Sequence, residues 1–230
     1  VKFCLLQNKS KDFFTIDEYK EKVATTQTDK DNKVVFLYSN DMVAHDSFIQ
    51  TIEKRGYDVL AMDGVLDNHF ISNVENKFEN VSWKRVDSDS VDKLIDKDIK
   101  NESVLSEADQ NAIKEAFEKD FSFAGTYKFS TEALSPDDYF LTLIKPEWER
   151  RMKEMQKMQG MNIFGNMPDT FNVVINTNHP LSLKLTKMTE GEAKTQLSKQ
   201  AFDLARLSQN LLHGEELTAF IQRNTKELSA

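Results

Sequence analysis

Between residues 33 and 87 the apolar positions change period several times. "KVVFLYS" (33–39) is a short β-branched and aromatic run, the pattern of a buried strand. "DMVAHDSFIQTIEKRG" (41–56) sets Val43, Phe48 and Ile52 among polar residues and closes on Gly56, which predicts an amphipathic helix. "YDVLAMD" (57–63) predicts a second buried strand, "NHFISNVENKF" (68–78) a second helix and "VSWKRVD" (81–87) a third strand. This β-α-β-α-β order leaves room only for short connections, so the helices are the crossovers and the strands pair mostly in parallel. Upstream, "DFFTIDEYKEKV" (12–23) predicts a further helix, with Thr15 as N-cap and Glu18 three residues on.

Beyond Asp87 the periodicity dissolves in "SDSVDKLIDKDIKNESV" (88–104), where acids and bases alternate with few apolar positions. A domain boundary is expected here, dividing residues 1–95 from 96–230. The second domain opens on a helix, "SEADQNAIKEAFEKDF" (106–121), capped by Ser106 with Asp109 three residues on. "GTYKFSTEAL" (125–134) and "DYFLTLIK" (138–145) predict strands flanking the turn "SPDD", and a helix is expected over 147–159. "FNVVINT" (171–177) predicts a third strand, "NHPLSLKLTKM" (178–188) starts a helix, and helices over about 190–212 and 215–228 end the chain. The fold class is α/β, or α+β taken overall. A small, mostly parallel α/β sandwich precedes a mixed α/β domain that ends in a helical hairpin.

Two apolar stripes in the second domain admit more than one use. "EWERRMKEMQKMQGMNIFGNMPD" (147–169) holds five of the eight methionines. Trp148, Met152 and Met155 share one helical face with Met158 beside it, while Met161, Ile163, Phe164 and Met167 are interleaved with Gly and Asn, which is loop chemistry. Such a stripe is either core or an adaptable surface, since methionine's unbranched, polarizable side chain repacks against varied partners. On the last two helices Leu197, Ala201, Leu204, Ala205, Ser208, Leu211 and Leu212, then Leu217, Phe220, Ile221 and Leu228, recur at helical steps. They either pack on their own domain or pair with a second copy in a four-helix bundle.

Composition narrows the choice of function. Hydrophobic residues make up 39% and sixteen Phe supply large apolar side chains, so the chain buries a core. The net charge of −8 is shared: residues 1–95 hold 13 Lys+Arg against 17 Asp+Glu and residues 96–230 hold 17 against 21, so neither half is a basic nucleic-acid-binding module. Cys4 is the lone cysteine, which rules out an internal disulfide and suits a reducing, cytoplasmic setting. No apolar run approaches the roughly 18 residues of a membrane span. The four histidines, His45, His69, His179 and His213, are scattered, and there is no Gly-rich phosphate loop and no metal-spaced His or Cys pair. The sequence therefore predicts no catalytic residues and no metal site. It also opens at Val1 in mid-pattern, as a piece of a longer protein would.

The run "ALSPDDYFLTLIKPEWERRMKEMQ", then "GNMPDTFNVVINTNHPL" and the ending "LARLSQNLLHGEELTAFIQRNTKEL", resembles the carboxy-terminal part of the heat shock protein 90 chaperone family, closest to its bacterial type. The stretch Asn176, Asn178, His179, Pro180, Leu181 before two closing helices is a specific part of that likeness. "VVFLYS…GYDVLAMDGVLDNHFI" is similar to the last α/β part of the family's middle domain. The likeness covers essentially the whole chain. It implies an ATP-dependent, homodimeric stress-response chaperone, of which residues 1–95 end the middle domain and residues 96–230 form the dimerisation domain. ATP and Mg would then belong to an upstream domain, and this stretch would carry no cofactor and no ATPase activity.

The resemblance also implies partners. Partly unfolded client proteins would contact Trp148, Met152, Met155, Met158, Met161, Ile163, Phe164 and Met167, with a second contact at His69 and Phe70, although Phe70 is equally read as core. The helical stripe over 197–228 would be the homodimer interface. One alternative of another class remains: Lys145, Arg150, Arg151, Lys153 and Lys157 make 145–157 a basic amphipathic segment of the kind that docks on membrane interfaces. Glu147, Glu149 and Glu154 interrupt it. No nucleic acid and no membrane partner is expected.

Overall fold

The computed structural model describes residues 5–75, 77, 78, 80–98, 101–123, 126–146, 149, 152 and 169–229. The chain divides into two compact units, Val1–Ile99 and Lys100–Ala230. Among the described residues there are eight helices and two mixed sheets, an α/β fold.

The first unit is a five-stranded sheet of β1 (Leu6–Asn8), β2 (Phe13–Phe14), β3 (Val34–Ser39), β4 (Val59–Ala61) and β5 (Val81–Arg85), in the order β2-β1-β4-β3-β5. β4, β3 and β5 run parallel, and β1 joins antiparallel to both β4 and β2. Central β3 is apolar at nearly every position because both of its faces are covered. Val35 and Leu37 meet Phe48, Ile49 and Ile52 of α2 (Asp46–Lys54). Phe36 and Tyr38 face the other way, into a core with Tyr19 of α1 (Ile16–Val23), Ile71 and Val74 of α3 (Asp67–Val74), and Trp83. A short α4 (Val91–Leu94) follows β5.

The first helix starts where its expected N-cap requires, at Ile16: the Thr15 side chain accepts from the Glu18 amide while the Glu18 carboxylate accepts from Thr15 N–H. That capping box fixes the first turn, and Phe13–Phe14 extends to pair with β1. Helix α2 starts at Asp46 rather than 41, after a turn in which the Asp41 carboxylate accepts from Val43 and Ala44 N–H. Val43 therefore leaves the apolar face. Residues 88–104, where the periodicity is weak and a domain boundary is expected, contain α4.

The second unit contains α5 (Glu107–Phe121), β6 (Tyr127–Glu132), β7 (Leu141–Ile144), β8 (Phe171–Asn176), α6 (Pro180–Lys187), α7 (Glu192–Ser208) and α8 (Gly214–Leu228). Ser106 caps α5 by accepting from Asp109 N–H. β6 and β7 flank the turn at 135–138 but do not pair with each other. β8 inserts between them, parallel to β6 and antiparallel to β7. The core is phenylalanine-rich: Phe117 packs on Phe121, Phe129 and Phe140, and Phe121 stacks on Phe202 of α7 at 4.9 Å.

Candidate functional site

The closing hairpin divides the stripe read from the sequence into two faces. Ala201 and Ala205 are buried in the unit's own core beside Phe202, with Leu197 and Leu211 packed against it, and Leu212 and Phe220 are buried too. Ala201, Ala205, Leu212 and Phe220 are thus buried within the unit, and Leu197 and Leu211 partly so. Steps of four from Leu197 and from Ser198 trace the inward face, and Leu204, Leu207 and Ser208 lie on the outward side. Leu204, Ile221 and Leu228 remain 49%, 53% and 90% exposed, Leu207 joins them, Ser208 is exposed and Leu217 half-buried.

A polar network that the sequence reading missed ties α7 to α8. Asp203 is buried and accepts from Arg223 at 2.7 Å, with Lys199 and Arg206 nitrogens at 3.6 and 3.7 Å. Arg206, also buried, donates through both terminal nitrogens to Glu216 and lies over the rings of Phe202 and Tyr127. The Arg206 hydrogen bonds hold the Glu216 carboxyl below its usual range. Gln200 donates to Asn224 at 2.7 Å. The available signal was Asp203 and Arg206 sitting between core positions 201, 202 and 205, where charges occur only when paired.

Of the Met-rich segment, Trp148, Met155, Met158, Met161, Ile163, Phe164 and Met167 lie outside the described residues. Met152 is helical and exposed. The ends of the segment are tied at the sheet: Lys145 pairs with Asp169, and Thr170 donates to Glu149 through both its amide and its hydroxyl. Lys145, Asp169 and Thr170 thus lie at the end of the sheet where Ile144 of β7 faces Asn172 of β8.

In the first unit His69 is exposed, and Phe70 is half-buried with its ring edge-on to Trp83 at 6.2 Å. The other histidines are structural in placement. His45 Nδ1 lies 2.9 Å from Ser39 Oγ, with Nε2 3.6 Å from Asp87. His179 caps α6 by accepting from Leu181 N–H, and burial pushes its pKa down. His213 is exposed at the start of α8. Among the described residues no group of three His, Cys, Asp or Glu side chains is placed to hold a metal ion. No helix among them is long and apolar enough to cross a membrane.

The Asn-x-Asn-His-Pro-Leu stretch is a knot of hydrogen bonds. Asn176 is fully buried, accepts from Leu134 and Asn178 N–H and donates to Ser135 O. Asn178 accepts from Val104 N–H at 2.8 Å and donates to Glu102 O and Leu134 O. Ser182 Oγ donates to Asn176 O, and Pro180 sits where a helix's first turn needs no N–H. Two short side chains thereby join the segments before α5, after β6 and after β8, satisfying backbone groups that helices and strands leave open.

Together these features define a two-unit α/β protein whose candidate sites are exposed apolar faces. No family model matches the chain. It is 36% identical over 200 residues to the chaperone protein HtpG of Bacteroides fragilis (strain YCH46), covering 86% of this chain and 29% of that protein. It is 38% identical over 183 residues to chaperone protein HtpG of Bacteroides thetaiotaomicron, covering 78% and 27% respectively. To chaperone protein HtpG of Porphyromonas gingivalis (strain ATCC 33277) it is 34% identical over 197 residues, covering 84% and 28%. The chain belongs to the HtpG family, the bacterial type of heat shock protein 90. It spans less than a third of the length of these curated relatives.

Proposed function

We propose that the chain serves an ATP-dependent chaperone as its carboxy-terminal part, supplying homodimerisation and part of the surface that holds partly unfolded client proteins. ATP and Mg then belong to a preceding domain, and this chain itself binds and hydrolyses no nucleotide. The observation that carries the dimer reading is the outward face of Leu204, Leu207 and Ile221, with Leu228 at its end, on a hairpin in which α7 commits its other face to the core and α8 buries Phe220. A helical hairpin with such a face buries it against a like face in a four-helix bundle. The client reading is supported by the names of the relatives, by exposed Met152, and by exposed His69 beside Val65 and Leu66. The membrane alternative gains no support: of the basic residues it needs, Lys145 is paired with Asp169.

Mass in solution by light scattering tests the dimer. The chain is expected at twice 26.5 kDa at micromolar concentration. Replacing Leu204 and Ile221 together by Asp should give monomers. The dimer would bury four unpaired carboxylates at several kcal/mol each, more than the about 8 kcal/mol that holds a micromolar complex. A double variant that stayed dimeric would place the interface elsewhere.

A further inference from the structure

At the carboxyl ends of β3 and β4 the chain parts in two directions. The loop after β3 leads to α2, which covers the face of Val35 and Leu37, while the loop after β4 leads to α3, which covers the face of Phe36 and Tyr38. Adjacent parallel strands whose connections leave for opposite faces open a crevice between them, the usual place for a ligand on such a sheet. Its floor is closed by Met62 N–H donating to Ser39 O at 2.8 Å and Asp41 N–H donating to Ser39 Oγ at 3.2 Å.

The two loops beside the crevice carry large apolar side chains pointing to solvent: Val43 is 85%, Val65 95% and Leu66 72% exposed. Folding gains nothing from them there, since each would be worth about 1.5–3 kcal/mol if buried. Four Asp side chains stand beside them: Asp41 on the first loop and Asp46 opening α2, Asp63 on the second loop and Asp67 opening α3, with His45 and His69 nearby in sequence; neither residues 34–53 nor residues 56–76 contain a Lys or Arg. Arg85, at the end of neighbouring β5, is buried and donates twice to Asp87. An apolar surface flanked by four carboxylates and, within these segments, by no Lys or Arg complements a partner that is both apolar and cationic.

We infer that this crevice docks a cationic, apolar segment of a partner polypeptide, apolar side chains on Val43, Val65 and Leu66, Lys or Arg head groups among Asp41, Asp46, Asp63 and Asp67. The inference rests on the client-binding reading and adds to it the chemistry of the client segment. It assigns selectivity to residues that precede and open α2 and α3.

The test is titration of two labelled peptides of equal length, one of alternating Leu and Lys, one of alternating Leu and Glu, followed by fluorescence anisotropy. The Leu–Lys peptide should bind at least about tenfold more tightly at low salt, the gap narrowing as salt screens the carboxylates. V65S/L66S should weaken it about tenfold without lowering the melting temperature, because both side chains are exposed. D46N/D63N should weaken it about fivefold and flatten the salt dependence. E21Q/D31N makes the same change in net charge on α1 and before β3, and should leave binding as it was. Equal losses in the two charge pairs, or an unaltered affinity in V65S/L66S, would overturn the inference. An unfolded protein, reduced and carboxymethylated, separates the two readings. If it binds while V65S/L66S leaves the peptide untouched, only the crevice falls; if neither it nor either peptide binds, the client reading falls with it.

Discussion

Arg223 reaches across from α8 to donate to Asp203 of α7 at 2.7 Å, and the carboxylate it meets is only 4% exposed. A carboxylate so far from water persists only because cations surround it, and Lys199 and Arg206 complete the set. The network fixes how the hairpin's helices lie together, and hence which residues face outward.

Removing one member should therefore cost more the deeper it is buried. Asp203→Leu takes from Arg223 its hydrogen-bonded carboxylate, while Arg206 keeps Glu216, and is expected to lower unfolding free energy by about 3 kcal/mol. Arg223→Met leaves Asp203 two other cations and should cost less. Lys199→Met, at an exposed partner, should fall within the about 1 kcal/mol of a surface pair. Urea denaturation of the three variants checks the order, and equal effects would mean that the network contributes little.

His179 makes stability depend on pH. Burial lowers its folded-state pKa below the ordinary 6.5, and its Nδ1 accepts from Leu181 N–H only when unprotonated. Below 6.5 the unfolded chain takes up a proton that the folded one refuses, so stability is full above that pH and is lost as pH falls through it toward the folded value. The urea midpoint of the wild-type chain should drop between about pH 7.5 and pH 5.5. His179→Asn retains a side-chain cap and should show a shallower drop over that window. Parallel pH profiles would assign the dependence to another group.

The Met-rich segment can be tested by separating stability from activity. If residues 148–167 work by exposure, replacing Met155, Met158, Phe164 and Met167 by Ser or Asn should leave the melting temperature nearly unchanged, about 0.5 kcal/mol or less per site. Suppression of a model protein's aggregation should fall. Were these side chains core, each truncation would cost about 2–5 kcal/mol, and early melting would sink the exposed-surface reading.

Elements and caps were legible wherever their cause is local. Thr15 with Glu18 and Ser106 with Asp109 start α1 and α5 through atoms three residues apart, and the run 34–39 is apolar because both faces of a parallel strand are covered. Acceptors two or three residues back are harder to weigh against a helical pattern. Asp41 shows this: its carboxylate accepts from Val43 and Ala44 N–H as a helix cap would, yet the residues that follow form a turn and the regular helix begins at Asp46. The outward Leu204 and Ile221 were legible as apolar helical positions, but so were Ala201 and Ala205, and periodicity does not say which neighbour a helix face will meet.

What only the tertiary structure decided depends on residues distant along the chain. β8 slips between β6 and β7 although the two flank one short turn, because strand order follows the faces that must be covered rather than sequence adjacency. Asn178 is bound to Val104 N–H across 74 positions, and Asp203 to Arg223 across 20. In the sequence each is one polar residue among many. A hydrogen bond to a buried partner depends on where the rest of the chain runs, and that is settled by packing of the whole unit, not by any window of its sequence.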